Sequence, residues 1–300
     1  MMRSTIVLAS CLLLTGACAS PRSALPTENA ALASDGVSIR YRSAGRDKPE
    51  PTIVLVHGFG GDATFWDAQI AHLSKEHRVL ALDLPGHGKS GTDRVDNWTM
   101  EAFGDDVRAV CDEAGASSII LIGHSMGGPV ILEAAHLMPD RVLVLVAVET
   151  FHDVENRMSE EILQQLTQEL AADYPTAVER MTRQFLFTPD ADTQIVETVV
   201  ARMRSLPPDV AIALMESMSR YDVAQSLEQV HVPIRCINTT ELMPNVVESA
   251  KRHAQDFELR TMDGVSHYPM MEAPDRFNEL LDEVIAEGMG AARKTSSAQP

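Results

Sequence analysis

Positive charge is scarce in this 300-residue chain: 25 Lys and Arg stand against 43 Asp and Glu, a formal net charge of -18. That balance argues against the basic face with which proteins grip nucleic acid or an anionic membrane surface. Cysteine is also sparse, with four in all. No H-E-x-x-H pair or Cys/His cluster suggests a metal, and nothing implies a cofactor. Internal repeats are lacking. So is a membrane-spanning run, because the apolar stretch from Ile6 to Leu14 in MMRSTIVLASCLLLTGACAS is too short. What is present is 45% hydrophobic residues, enough to bury one large core.

The N-terminal stretch has the layout of an export signal, with Arg3 ahead of the apolar segment and small residues after it. Two exits are open: cleavage after Ala19, where Ala17 and Ala19 give a small-x-small pattern, or processing just before Cys18. LTGAC resembles a bacterial lipobox with Thr15 in place of Leu, and a lipid on Cys18 would be the chain's hold on a membrane. An exported protein is expected, periplasmic or anchored at the outer membrane, with free secretion as the alternative. Residues 1–19 then form the signal and lipobox region and 20–34 a tether. Cys111, in a helical pattern, and Cys236, in a strand pattern, read as buried free thiols.

From Val37 onward strand-like runs alternate with helical patterns. TIVLVHG, RVLALDLPG, SIILIGHS and RVLVLVAVE are short, nearly continuous apolar runs, which implies strands buried on both faces of a parallel sheet. PIRCIN and FELRTM resume the strands, and PDRFNELLDEVIAEG supplies a closing helix from Pro274 to Gly288. The rhythm breaks over 151–222, which is helical in pattern and carries Met158, Met181, Met203, Met215, Met218 and FLF at 185–187. The fold class expected is a doubly wound α/β core, residues 35–150 and 223–287, with an all-helical cap at 151–222 over the carboxyl ends of the strands. The tail, 288–300, is small and polar and is expected to be disordered.

IILIGHSMGG sets Ser125 in a G-x-S-x-G pattern after a buried strand and before the helical PVILEAAHLM. This is the context of a nucleophile elbow, in which Gly123 and Gly127 leave room and Ser125 sits on a strained turn with Oγ exposed. GHGKS at 86–90 lacks the first glycine of a phosphate loop, since Asp83 stands there, and nucleotide binding is dismissed.

With GHSMGG, the pieces VLVHGFGGDATFWD, ALDLPGHGKSG and MDGVSHYPMMEAPDRFNELL make residues 37–286 resemble the α/β-hydrolase superfamily. The resemblance implies an eight-stranded, mostly parallel sheet, a helical cap after the sixth strand, and a Ser, acid, His triad in that chain order. It makes Ser125 the nucleophile and His267 the general base, with Ser266 where relatives commonly carry Gly. The backbone N–H groups of Phe59 and Met126 would form the oxyanion hole. His57 is expected to brace its loop and His124 to pack or hydrogen-bond.

The acid is less plain. In most relatives it follows the seventh strand in a Gly-x-x-Asp pattern, but here Thr239 replaces the Gly and Leu242 the Asp. Glu149, at the end of the sixth strand, is preferred; certain haloalkane dehalogenases carry a Glu there. Glu241 is the alternative, and Asp153, Asp222 and Asp263 stay open. The expected function is a serine hydrolase of small to medium apolar carboxylic esters, thioesters or lactones, working through an acyl-enzyme. Carbon–carbon bond hydrolysis of a diketone and ligand binding without multiple turnover are the alternatives.

Overall fold

Val, Ile and Leu dominate the strand-forming runs because branched side chains pack well on a pleated surface covered from both sides. The computed structural model describes residues 25–45 and 50–298; the stretch expected to be an export signal, with Cys18, lies outside them. One sheet contains β1 (Thr27–Leu32), β2 (Ser38–Ala44), β3 (Thr52–Val56), β4 (Val79–Leu82), β5 (Ile119–His124), β6 (Val142–Val148), β7 (Ile234–Thr239) and β8 (Phe257–Met262). Its spatial order is β1-β2-β4-β3-β5-β6-β7-β8. β1 and β2 run antiparallel to their neighbours, and β3 through β8 are mutually parallel. Every residue of β3, β4, β5 and β7 is buried.

Helices α1 (Asp67–Leu73), α2 (Met100–Glu113), α3 (Gly127–Leu137), α4 (Glu160–Ala172), α5 (Tyr174–Phe185), α6 (Thr193–Ser205) and α7 (Pro208–Arg220) follow in chain order. They are followed by α8 (Val223–Glu228), α9 (Val247–His253), α10 (Pro269–Glu272) and α11 (Pro274–Ala298). α2, α3, α8 and α9 form one set of packed neighbours, while α1, α10 and α11 form another. Five helices lie between β6 and β7 in the chain: α8, which packs with α3 and α9, and an insertion of four, α4 to α7. Short polar side chains start three of them: Ser159, Asp173 and Asp192 accept hydrogen bonds from first-turn amides.

Two expected boundaries are corrected. The stretch read as a tether contains β1; its Ala31, and Ala33 just beyond its end, reach the core while Leu32 stays exposed. Its small, weakly apolar residues hide a strand that owes its place to pairing with β2. Nor does the last helix stop at Gly288 and give way to a disordered tail: α11 runs on to Ala298. Gly288 is an approach point, where a Cβ would sit 2.5 Å from Val144 Cγ1 on β6. Close packing on the sheet, and not a helix stop, accounts for this glycine.

Candidate active site

β5 ends at His124 and α3 begins at Gly127, leaving two residues to reverse direction. Ser125 takes φ +53 to do so, its N–H donating to Val148 O at 2.8 Å. A Cβ on Gly123 would lie 2.2 Å from Gly127 O, so only glycine allows the turn to close this tightly. The elbow expected from GHSMG is therefore present as a left-handed serine, a conformation that costs about 1–3 kcal/mol and persists at functional sites.

The end of β6 is bent just as sharply. Glu149 has φ +51 and Phe151 φ +56. Glu149 N–H continues the ladder to Ile237 O at 2.9 Å, and Asn238 clasps the next residue, accepting from Thr150 N at 3.1 Å and donating to Thr150 O at 2.9 Å. The turn aims the Glu149 carboxylate, which is buried, at His267. Its Oε2 lies 3.1 Å from His267 Nδ1, and its Oε1 accepts from the amide of Thr239. Burial raises the Glu149 pKa, with the Thr239 amide opposing. Burial depresses His267 to about 4. The ring is neutral at pH 7, and a proton on Nδ1 shared with Glu149 leaves Nε2 as the basic nitrogen.

The other candidate carboxylates are engaged elsewhere. Glu241 is exposed and accepts from Gly264 N at 3.1 Å. Asp263 accepts from Thr240 Oγ1, Asp153 from Glu155 N, and Asp222 caps α8. The Leu242 side chain has no polar atom with which to bond His267.

Ser125 and His267 share the wall of a cavity of about 160 Å³ with Gly58, Phe59 and His124. The four-helix insertion supplies the opposite wall, including Met181, Met203, Met215, Met218, Phe185 and Leu186. Met158, grouped with these methionines by sequence, is instead exposed on the surface. The amides of Phe59 and Met126 have no protein acceptor among the described residues, and Met126 is the N-cap of α3, where the helix dipole favours negative charge. His57 accepts from Leu84 N at Nε2 (3.0 Å), which leaves its Nδ1–H to donate to Gly58 O at 2.7 Å. That fixes its tautomer and braces the Phe59 loop. His124 Nε2–H donates to His267 O at 2.7 Å. Asp83, in place of a phosphate-loop glycine, accepts from Ala63 N and Lys89 N and shapes the loop after β4.

Sequence reasoning missed Asn238 and Glu272. Glu272 accepts from both Ser266 N and Tyr268 N, the amides on either side of His267. The available signals were a polar residue ending the apolar strand IRCIN and a carboxylate five residues beyond the histidine at a helix start. Among the described residues no group of three or more His, Cys, Asp and Glu could hold a metal. Cys111 and Cys236 are free and buried, and burial pushes Cys111 up to about 12.

A parallel sheet crossed by a serine elbow, with a histidine-carboxylate pair delivered from the ends of two other strands, defines the class of fold and site. The chain belongs to the alpha/beta hydrolase fold family, whose sequence profile matches residues 51–217, more than half of its length. It is similar to "Karrikin insensitive 2 receptor CA" of Petunia hybrida, 26% identical over 239 residues that cover 75% of this chain and 88% of that protein. In three dimensions it resembles a thermophilic esterase from Thermogutta terrifontis, with a TM-score of 0.75, 24% identity, and coverage of 89% of this chain and 100% of that one. The enol-lactonase from Burkholderia xenovorans LB400 gives a TM-score of 0.75 at 22% identity, over 86% and 100% of the two chains. These structural likenesses show a common fold.

Proposed function

We propose that the protein is a serine hydrolase that cleaves small to medium apolar carboxylic esters, thioesters or lactones through an acyl-enzyme on Ser125. The observation that carries this reading is the buried 3.1 Å contact between His267 Nδ1 and Glu149 Oε2, on a histidine that shares the Ser125 cavity. A carboxylate on Nδ1 fixes the tautomer that leaves Nε2 free to take the serine proton, and then stabilises the imidazolium. Ser125 Oγ attacks the carbonyl, and the oxygen's charge develops toward the Phe59 and Met126 amides. Collapse expels the alcohol or thiol with the proton from His267, which then activates water to release the acid. Each oxyanion donor is worth about 3–4 kcal/mol in such a step. The insertion acts as a cap, and its thioethers and aromatic rings favour an uncharged, apolar acyl group.

A fluorophosphonate probe is expected to label wild type at Ser125 and to leave Ser125→Ala unlabelled, with ester turnover lost by at least about a thousandfold. Full esterase activity in Ser125→Ala would sink the mechanism. The similarity to a receptor motivates a second reading, a binding protein that retains the triad. Turnover separates the two, since a hydrolase releases many product molecules per chain and a receptor about one or fewer.

A further inference from the structure

The segment carrying His267 is tied to the insertion as well as to the core. From the core side, Glu272 holds the amides of Ser266 and Tyr268, and His124 holds the carbonyl of His267. From the insertion side, His267 N donates to Leu186 O at 3.1 Å, just past the end of α5. Two residues on, Thr188 N donates to Ser266 Oγ at 3.0 Å, and the Thr188 and Ser266 hydroxyls lie 3.2 Å apart. Ser266 is completely buried, so its hydroxyl has only these partners. This is the position at which the sequence departs from Gly-x-Gly-His.

We infer that the Leu186–Thr188 segment positions His267, and that Ser266 is the positioning residue through which side chains contribute to the link. The inference rests on the reading of His267 as general base. Its ring must keep Nδ1 on Glu149 while Nε2 serves Ser125, and an error of about 1 Å in such a placement can cost up to a hundredfold in rate. Held from the core side alone, the histidine backbone could shift away from β5; the bonds from Leu186 and Thr188 oppose that shift. The insertion therefore completes the geometry of the base in addition to enclosing the cavity. The Leu186 bond is backbone to backbone, which leaves the Ser266–Thr188 pair as the part that substitution can reach.

The test uses the folded chain, p-nitrophenyl butyrate as probe, and thermal unfolding of the same samples. Ser266→Ala removes both hydroxyl bonds with little change of volume, whereas Thr188→Val removes only the one made by its own hydroxyl. The expected result is a kcat lowered about tenfold in Ser266→Ala and about threefold in Thr188→Val, with KM held within about twofold. The double variant should be no slower than Ser266→Ala, because both changes act on one link. A role confined to stability would lower Tm and leave kcat alone. A Ser266→Ala kcat within about twofold of wild type, or fully additive effects in the double variant, overturns the inference. Should Ser266→Ala fail to fold at the assay temperature, Thr188→Val decides alone, and an unchanged kcat there overturns it. Absence of Ser125-dependent turnover in wild type refutes the hydrolase reading itself and takes the inference with it, an outcome distinct from normal wild-type turnover with unaffected variants.

Discussion

At Glu149 two demands meet. The residue must end a buried strand in a left-handed turn, and it must present a buried carboxylate with partners on both oxygens. Asn238 supports the first demand and the Thr239 amide the second. Glu149→Gln keeps the shape but puts an amide donor where the His267 N–H needs an acceptor, so kcat should fall by about 10² to 10⁴. Glu241→Gln should leave kcat within about twofold, since that exposed side chain is hydrogen-bonded to Gly264 and to neither Ser125 nor His267. Steady-state kinetics of the two variants give the ranking, and the reverse order would remove Glu149 from the proposed triad. The position of this carboxylate was legible because a glutamate is conspicuous at the end of VLVLVAV. Its supports were not legible: Asn238 holds the turn through bonds to the Thr150 backbone across 88 residues, and Thr239 acts through its amide, which side-chain identity does not reveal.

Elements whose patterning is strong were readable from sequence, and those held by tertiary contact were not. The parallel strands announce themselves as apolar runs, while β1, with TENAAL, has strand character only through its pairing with β2. The end of α11 shows the same limit, because a glycine that permits close packing looks like a glycine that stops a helix. The two glycines of GMG therefore make a matched test. Gly290 has nothing within 4 Å of an added Cβ, so Gly290→Ala should stabilise by about 0.5–1 kcal/mol through helix propensity. Gly288→Val should instead destabilise by about 1–3 kcal/mol, because the new side chain overlaps the short, branched Val144, which sits in a strand and cannot swing aside. Denaturant unfolding measures both, and a stabilised Gly288→Val would contradict the contact with β6.

For the molecule as a whole, buried imidazoles set the response to acid. Burial lowers His57 and His152, and puts His87 and His124 near about 3 and His267 near about 4. Unfolding frees these rings to bind protons near their ordinary pKa of about 6.5. Because the folded values are depressed, this contribution to stability is fully present above about pH 6.5 and is lost as pH falls toward the folded values. Glu149 is raised by burial, and Asp106 is pushed by burial to about 6 against the pull of Arg94; both act in the opposite sense between their ordinary values and those raised ones. Glu228 and Glu155 raise His253, which also acts in that opposite sense, but the five lowered rings outnumber these three groups, so Tm should fall steadily from pH 7 to pH 5. The slope in free energy is about 1.4 kcal/mol per pH unit for each net proton. A Tm that is flat or rising over that range in thermal unfolding scans would show that the rings are not buried as described.

The turn after β6 also fixes where this molecule can be taken apart. Glu149 and the first residues of the insertion share one bent stretch of backbone, clasped by Asn238 at Thr150 and, further on, by Val246 N–H to His152 O and Ser249 Oγ to Val154 N–H. Up to Val154, the entry to the insertion belongs mechanically to the core, held by β7 and the start of α9. A chimera that borrows the four helices from a relative should therefore be spliced downstream of Val154, where the graft inherits a new pocket without inheriting a new carboxylate. Within the graft, the connection between its second and third helices has to keep Leu186 and Thr188, or supply equivalents, if His267 is to keep its second support.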